Sequence, residues 1–355
     1  MFDAIKSVPA RVCLCLSFLI GILYSINFIF FSSCSVVNGD GDCFSLIPNG
    51  ATPDDEAYGR GAGTLYVAGV LMFGVITGNL LILNEGARGK WTIMLPTIAG
   101  FTCLAIVLAP PFQGDYESAN NNPLYATLAA LGLYTAAYVM LKEEGVDEGL
   151  ACNMGIKINN EAKYAIILSS FIGTLYSINH FFFADGYAGA GGSTLLAGFE
   201  EGSYWDDPIA AVPIAYRVLA SFFVIYVSMG LILLTNGAKG NWAAAHVLLF
   251  GITFFALSII LGNLVVNDQV IPDDPNSPYT PDTSTATANI AVSALVMFLN
   301  IFAYYKMREE GVEEGMTLGG KDFENSDDFF YKMYPVVTAA FVVLLLIANF
   351  VTQVQ

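Results

Sequence analysis

The chain has 355 residues, 55% of them hydrophobic and only 13% charged, with a formal net charge of −17. With a mean hydropathy of +0.59, it has more apolar surface than a soluble globule of this size can hide, since much of any globule's surface faces water. The composition therefore excludes an ordinary soluble domain and points to a polytopic helical membrane protein. The acidic balance gives no reason to expect nucleic acid as a partner.

Nine apolar runs, nearly free of charge, read as spans: 12–31, 64–83, 91–109, 124–141, 164–184, 209–234, 242–266, 288–305 and 334–351. Each approaches the roughly 20 residues that cross a bilayer core of about 30 Å. The first follows Lys6 and Arg11, the pattern of a signal peptide. Its phrase "GILYSINFIFF" (21–31) returns as "GTLYSINHFFF" (173–183), mid-chain, where it must be a mature helix. The first copy is therefore expected to be retained.

Two faces are legible in that phrase. Ser17, Gly21 and Ser25, like Ser169, Gly173 and Ser177, recur at a spacing of four, the small-residue seam that lets helices in a membrane approach closely. Asn27 and Asn179 lie off that seam, and an amide at membrane depth needs a hydrogen-bond partner or a polar cavity. Where the first copy has Phe28 the second has His180, a side chain able to titrate or to bind a ligand. With Asn79 and Asn300, the residues Asn27, Asn179 and His180 form the candidate polar intramembrane site.

In the first loop, Cys34 and Cys43 are spaced so that a disulfide can form in an oxidising compartment. "NGDGDC" (38–43) opens like a calcium loop, but Cys43 and Asn49 stand where that loop has its glycine and its bidentate glutamate. Further along, "NEGARGKW" (84–91) reappears as "TNGAKGNW" (235–242), and both read as tight turns with Trp91 and Trp242 at the lipid–water interface. "YVMLKEEGVDEGL" (138–150) reappears as "YYKMREEGVEEGM" (304–316). The repeated acids read as a solvated tail or as a docking site for a basic partner. Arg217, in the sixth span, is expected to snorkel toward Asp206 and Asp207, and His246 to lie at an interface.

These anchors occur in the same order in both halves, so the chain reads as a duplication. The expected fold is an all-α integral membrane protein of about nine transmembrane helices. Two parallel four-helix repeats, 1–150 and 164–316, are joined by a linker, 151–163, and followed by an acidic segment and one more helix in 317–355. Twelve of the fourteen Lys and Arg residues then fall on one side, which places the N-terminus in the cytoplasm and the C-terminus opposite. Loops on the other side ("PDDEAYGR", "EEGSYWDDP", "PDDPNSPYTPD") are acidic and would concentrate cations.

Each half resembles the tetraspan units of claudins and MARVEL proteins: four spans, a longer first outer loop, a shorter second one, and a cysteine pair in one copy. The resemblance is one of topology and assigns no residue. No nucleophile elbow, phosphate loop or metal-ligand spacing is present, so no catalysis, cofactor or metal is expected. Two functions follow. One is a non-catalytic membrane scaffold or interaction protein, acting with membrane-protein partners or as a homo-oligomer. The other is a channel or transporter for a cation or small neutral solute, with its path between the two repeats.

Overall fold

The structure is a computed structural model that describes residues 4–32, 56–110, 122–150, 155–184, 211–266, 283–318, 321–322 and 333–354. They form nine long helices: α1 (Val8–Phe30), α2 (Glu56–Glu85), α3 (Trp91–Val107), α4 (Asn122–Met140), α5 (Ala162–Phe182), α6 (Ala211–Asn236), α7 (Trp242–Val266), α8 (Thr283–Arg308) and α9 (Tyr334–Val354). A two-rung antiparallel hairpin pairs β1 (Thr317–Leu318) with β2 (Lys321–Asp322). Seven helices are long and apolar enough to cross a membrane; Trp91–Val107 and Tyr334–Ala348 are apolar but shorter. This is the profile of a multi-pass membrane protein, in which α3, at 17 residues, is the shortest of the nine helices.

Local chemistry sets the helix ends. Ser7 caps α1, its Oγ accepting the Ala10 N–H at 3.4 Å, with a proline in the first turn where no donor is needed. α2 and α6 each stop at a glycine, Gly86 (φ +91°) and Gly237 (φ +92°), conformations that a side chain would strain. Their N–H groups bond back to Ile82 O and Leu233 O, both at 2.9 Å.

The helices pack as two sets of four. In the first set α1 touches α2 and α4, and α3 touches α4; in the second, α5 touches α6 and α8, and α7 touches α8. Between the sets, α2 meets α6 and α7, and α6 also meets α3. α2, α6 and α7 are largely buried, whereas α1 presents an outward stripe of Val12, Leu16, Leu19 and Leu23. α9 lies outside both sets, held by Phe341, which stacks on Phe254 with ring centroids 3.8 Å apart. Tyr334 adds a 2.8 Å hydroxyl contact to Thr253.

The repeated acidic motif closes one end of each set, and this corrects the reading of it as a solvated tail. Glu144 accepts the N–H groups of Lys6 and Ser7 at 2.9 and 2.6 Å. Glu310 accepts those of Asn159 and Asn160 at 2.9 and 2.8 Å. Gly89 N–H donates to Gly145 O at 2.9 Å, and Gly240 N–H to Gly311 O at 3.0 Å. Tyr138 donates to Asp147, and Tyr304 to Glu313. Arg88 bridges to Glu148, and Lys239 to Glu314. The Arg88 hydrogen bond holds the Glu148 carboxyl below its usual range.

These acids thus clasp the start of the set's first helix to the turn between its second and third, instead of trailing in water. The tryptophans belong to the clasp too. Trp91 and Trp242 are buried against the protein instead of facing outward. Trp91 Nε1–H donates to Glu148 O at 3.1 Å, while Lys90 Nζ sits 4.9 Å from the centre of the Trp242 ring, joining the two sets.

Replacing Glu310 with alanine removes the acceptor for two N–H groups that precede α5 and is expected to cost about 1 kcal/mol, as for a lost helix cap. Glu144→Ala should cost the same at α1. Thermal unfolding of the purified variants in detergent checks both values.

Candidate functional site

The surface where the two sets meet is filled. Small residues on α2, α3 and α7 allow the approach. A methyl placed on Gly74 would stand 2.9 Å from the Gly251 Cα, and one on Gly100 would collide with Ile225. Tyr226, fully buried, occupies the space at Gly74 and Gly251 and donates its hydroxyl to Leu71 O at 2.7 Å, from one set to the other. Its register partner in the first set, through the aligned "NEGARGKW" and "TNGAKGNW" turns, is Val75. The lock therefore has one tongue, not two.

Each set also has a partly open cavity among its helices. That of the first set is about 40 Å³ and is lined by Gly21, Tyr24, Phe28, Leu104 and Ala130 among others. That of the second is about 290 Å³. Register partners of all the residues lining the small cavity line the large one: Tyr24 with Tyr176, Leu104 with Phe255, Thr127 with Ser293. The match extends to a residue lent by the other set, Val218 to the small cavity and Val67 to the large one.

The difference in volume has identifiable causes. Asn300 lines the large cavity where the first set has Tyr134, a fully buried ring stacked edge-on against Phe101 at 6.2 Å. Ser170 stands where Phe18 does, and His180 where Phe28 does. Three aromatic side chains have given way to smaller or more polar ones. In the first set Ser25 donates to Gly69 O at 2.9 Å, and a methyl on Gly69 would come within 2.6 Å of Phe28 Cβ. The second set has Ala220 in the place of Gly69, and its close approaches of α5 and α6 lie at Gly173 against Val227 and at Gly230 against Ser170.

Of the five candidate polar residues, the structure brings two to one cavity, His180 and Asn300. His180 lies in an aromatic frame, 4.9 Å from Tyr216, 5.6 Å from Tyr176 and 6.0 Å from Phe223 between ring centroids. Asn300 donates both amide hydrogens, to Ser169 Oγ and Val296 O, each at 2.8 Å. Asn27 and Asn179 are buried near the far ends of α1 and α5, away from the cavity lining, with backbone carbonyls accepting from Phe31 and Phe183. Asn79 is buried on α2, and its Oδ1 has no hydrogen-bond partner among the described residues.

The packing residues divide between the sets. A methyl on Gly21 would press on Ile76 at 3.0 Å, and one on Gly173 on Val227 at 2.8 Å. Ser17, Ser25 and Ser177 are buried, whereas Ser169 and Gly173 also face the large cavity. Cys34, Cys43, Cys152, Asp206, Asp207 and the calcium-like loop lie outside the described residues.

Arg217 turns to the last turn of α5, its Nε donating to Phe181 O at 3.4 Å, a favourable place for a cation at a helix C-terminus. His246 is buried and not interfacial: its Nε2 is 2.6 Å from the Tyr304 hydroxyl, which donates to Glu313, itself bridged to Arg308 at 3.2 Å. Sequence reasoning passed over Ser170, Tyr176 and Tyr216. Comparing the halves residue by residue, as with Phe18 and Ser170, is the signal that finds the first of them. Comparison of the chain with protein-family models, with curated proteins and with solved structures finds no match.

A side chain at Gly251 overpacks the surface between the sets, so Gly251→Ala is expected to destabilise the protein by about 1–3 kcal/mol. Adding Tyr226→Val, the residue the first set carries, should recover most of that loss despite forfeiting the hydroxyl bond. Thermal melts of the single and double variants in one detergent give the coupling directly.

Proposed function

We propose that the chain is a non-catalytic polytopic membrane scaffold made of duplicated tetraspan-like units, 1–150 and 164–316, with a linker at 151–163 and an added helix in 317–355. All nine helices cross the membrane in this reading, the 17 residues of α3 covering about 26 Å at 1.5 Å per residue. The clasped end, which carries most of the Lys and Arg, is cytoplasmic. The C-terminus lies opposite.

The observation that carries the reading is the filled surface between the sets, where Tyr226 and its hydrogen bond to Leu71 O occupy the place a solute path needs. The matched clasps and cavity linings support the duplication. Apolar stripes such as Val12–Leu23 give lipids, membrane-protein partners or a second copy of the chain a surface to pack on, and the acidic loops draw cations. The large cavity favours one alternative. Of the cation and the small neutral solute, the neutral one suits this lining, and it would pass along the second unit beside α2 and not through the filled surface at Tyr226.

Single cysteines at Val75 and Val247, in an otherwise cysteine-free protein in membranes, separate these readings. Both positions are buried, and the scaffold reading expects a small polar thiol reagent to leave both unlabelled. Labelling at both, together with solute flux in liposomes that the reagent blocks, would replace it with transport between the units.

A further inference from the structure

We infer that the cavity of the second unit is a binding site for an elongated, uncharged, mostly apolar molecule bearing a hydroxyl group, and that the first unit has the same site filled in by its own side chains. The inference stands whether the chain is a scaffold or a carrier, because it rests on the cavity and not on the surface between the units.

The size comes first. At about 290 Å³ the cavity lies at the lower edge of the range, about 300–1,000 Å³, in which small ligands sit. Along α5 its lining runs from Ile166 to His180, roughly 21 Å at 1.5 Å rise per residue, so the space is long and narrow.

Charge is excluded next. Among the described residues, no Asp, Glu, Lys or Arg lines the cavity. A charged ligand would leave water without a counter-ion, which is far more costly than burying a neutral molecule.

The lining then gives the pattern of the ligand. Its middle is aromatic and aliphatic, with Phe223, Phe255, Leu219 and Ile252. Polar side chains stand at the two ends, His180, Tyr216 and Asn289 at one and Ser169, Ser170 and Asn300 at the other, with Ser293 between Asn289 and Asn300 on α8. At that second end the bonding is already partly spent. Asn300 gives its two N–H groups to Ser169 and Val296, which fixes its orientation and leaves Oδ1 as an acceptor. An acceptor at the end of an apolar tube selects a donor, and a hydroxyl is the smallest neutral group that supplies one.

The first unit is the built-in control. Tyr134, Phe28 and Phe18 stand at the positions of Asn300, His180 and Ser170, and the corresponding space is about 40 Å³, lined almost wholly by apolar side chains. Packing alone is satisfied by the filled arrangement. Opening the second copy exposes polar atoms and forfeits contacts, losses that a bound molecule restores.

Photolabelling of the full chain in membranes tests the inference, with dodecanol carrying a diazirine and an alkyne as the probe. Labelled peptides should map to α5 and α8, and excess plain dodecanol should reduce labelling at least about tenfold, whereas dodecanoate should not. The variant S170F/H180F/N300Y, which installs the side chains of the first unit, should lose that labelling. S170F alone leaves His180, Asn300 and Ser169 in place while filling the space beside them, and serves as the second variant should the triple one fail to fold: it too should lose the labelling. The converse F18S/F28H/Y134N should bring label to α1 and α4. Labelling spread over lipid-facing residues and indifferent to the variants would overturn the site, and equal competition by dodecanoate would overturn its preference for an uncharged ligand.

Discussion

The structure depends on close backbone approach between α2, α3, α6 and α7. In an apolar surrounding there is little hydrophobic drive to press helices together, so packing, small residues and buried hydrogen bonds must do it. Gly74, Gly100 and Gly251 let the backbones meet, and Tyr226 fills what two of those glycines leave open while bonding to Leu71 O. Because α2 faces α7 as α6 faces α3, each set offers the other the same pair of helices. That is the arrangement of a self-complementary dimer, here drawn from one chain.

Once this surface is closed, the remaining features follow from how each set is finished. At one end the acidic motif ties the start of the first helix to the turn between the second and third, and it does so with the same residue types in both copies. At the other end and in the middle the copies part. The first set is filled around Tyr134 and keeps a space of only about 40 Å³. The second keeps the frame but has Asn300, His180 and Ser170 at the positions of Tyr134, Phe28 and Phe18, and its cavity is about 290 Å³.

Much of the fold was legible in the sequence. Apolar runs located all nine helices to within a few residues at most ends, and the phrases around Gly86, Gly237, Gly145 and Gly311 located the turns. α2 was underestimated because its first turns, from Glu56, carry charge and glycine and fall outside a hydropathy window. The clasp was not legible, since an acidic run beyond a helix looks the same whether it meets water or backbone N–H groups from residues far away in sequence. The site was half legible. His180 and Asn300 stood out as polar residues in apolar runs, and they do share a cavity. Asn27, Asn79 and Asn179 stood out equally and do not line it, because polarity alone does not tell which way a helix is turned. Tyr176 and Tyr216 were invisible as site residues, being ordinary aromatic residues of a membrane helix.

The most direct test of the account is to cut the chain in the linker and express 1–150 and 151–355 as separate polypeptides in one cell. If the surface between α2, α3, α6 and α7 is the self-sufficient joint described, affinity purification of either half recovers the other in equal amount. Recovery of each half alone, or only with further copies of itself, would contradict the account.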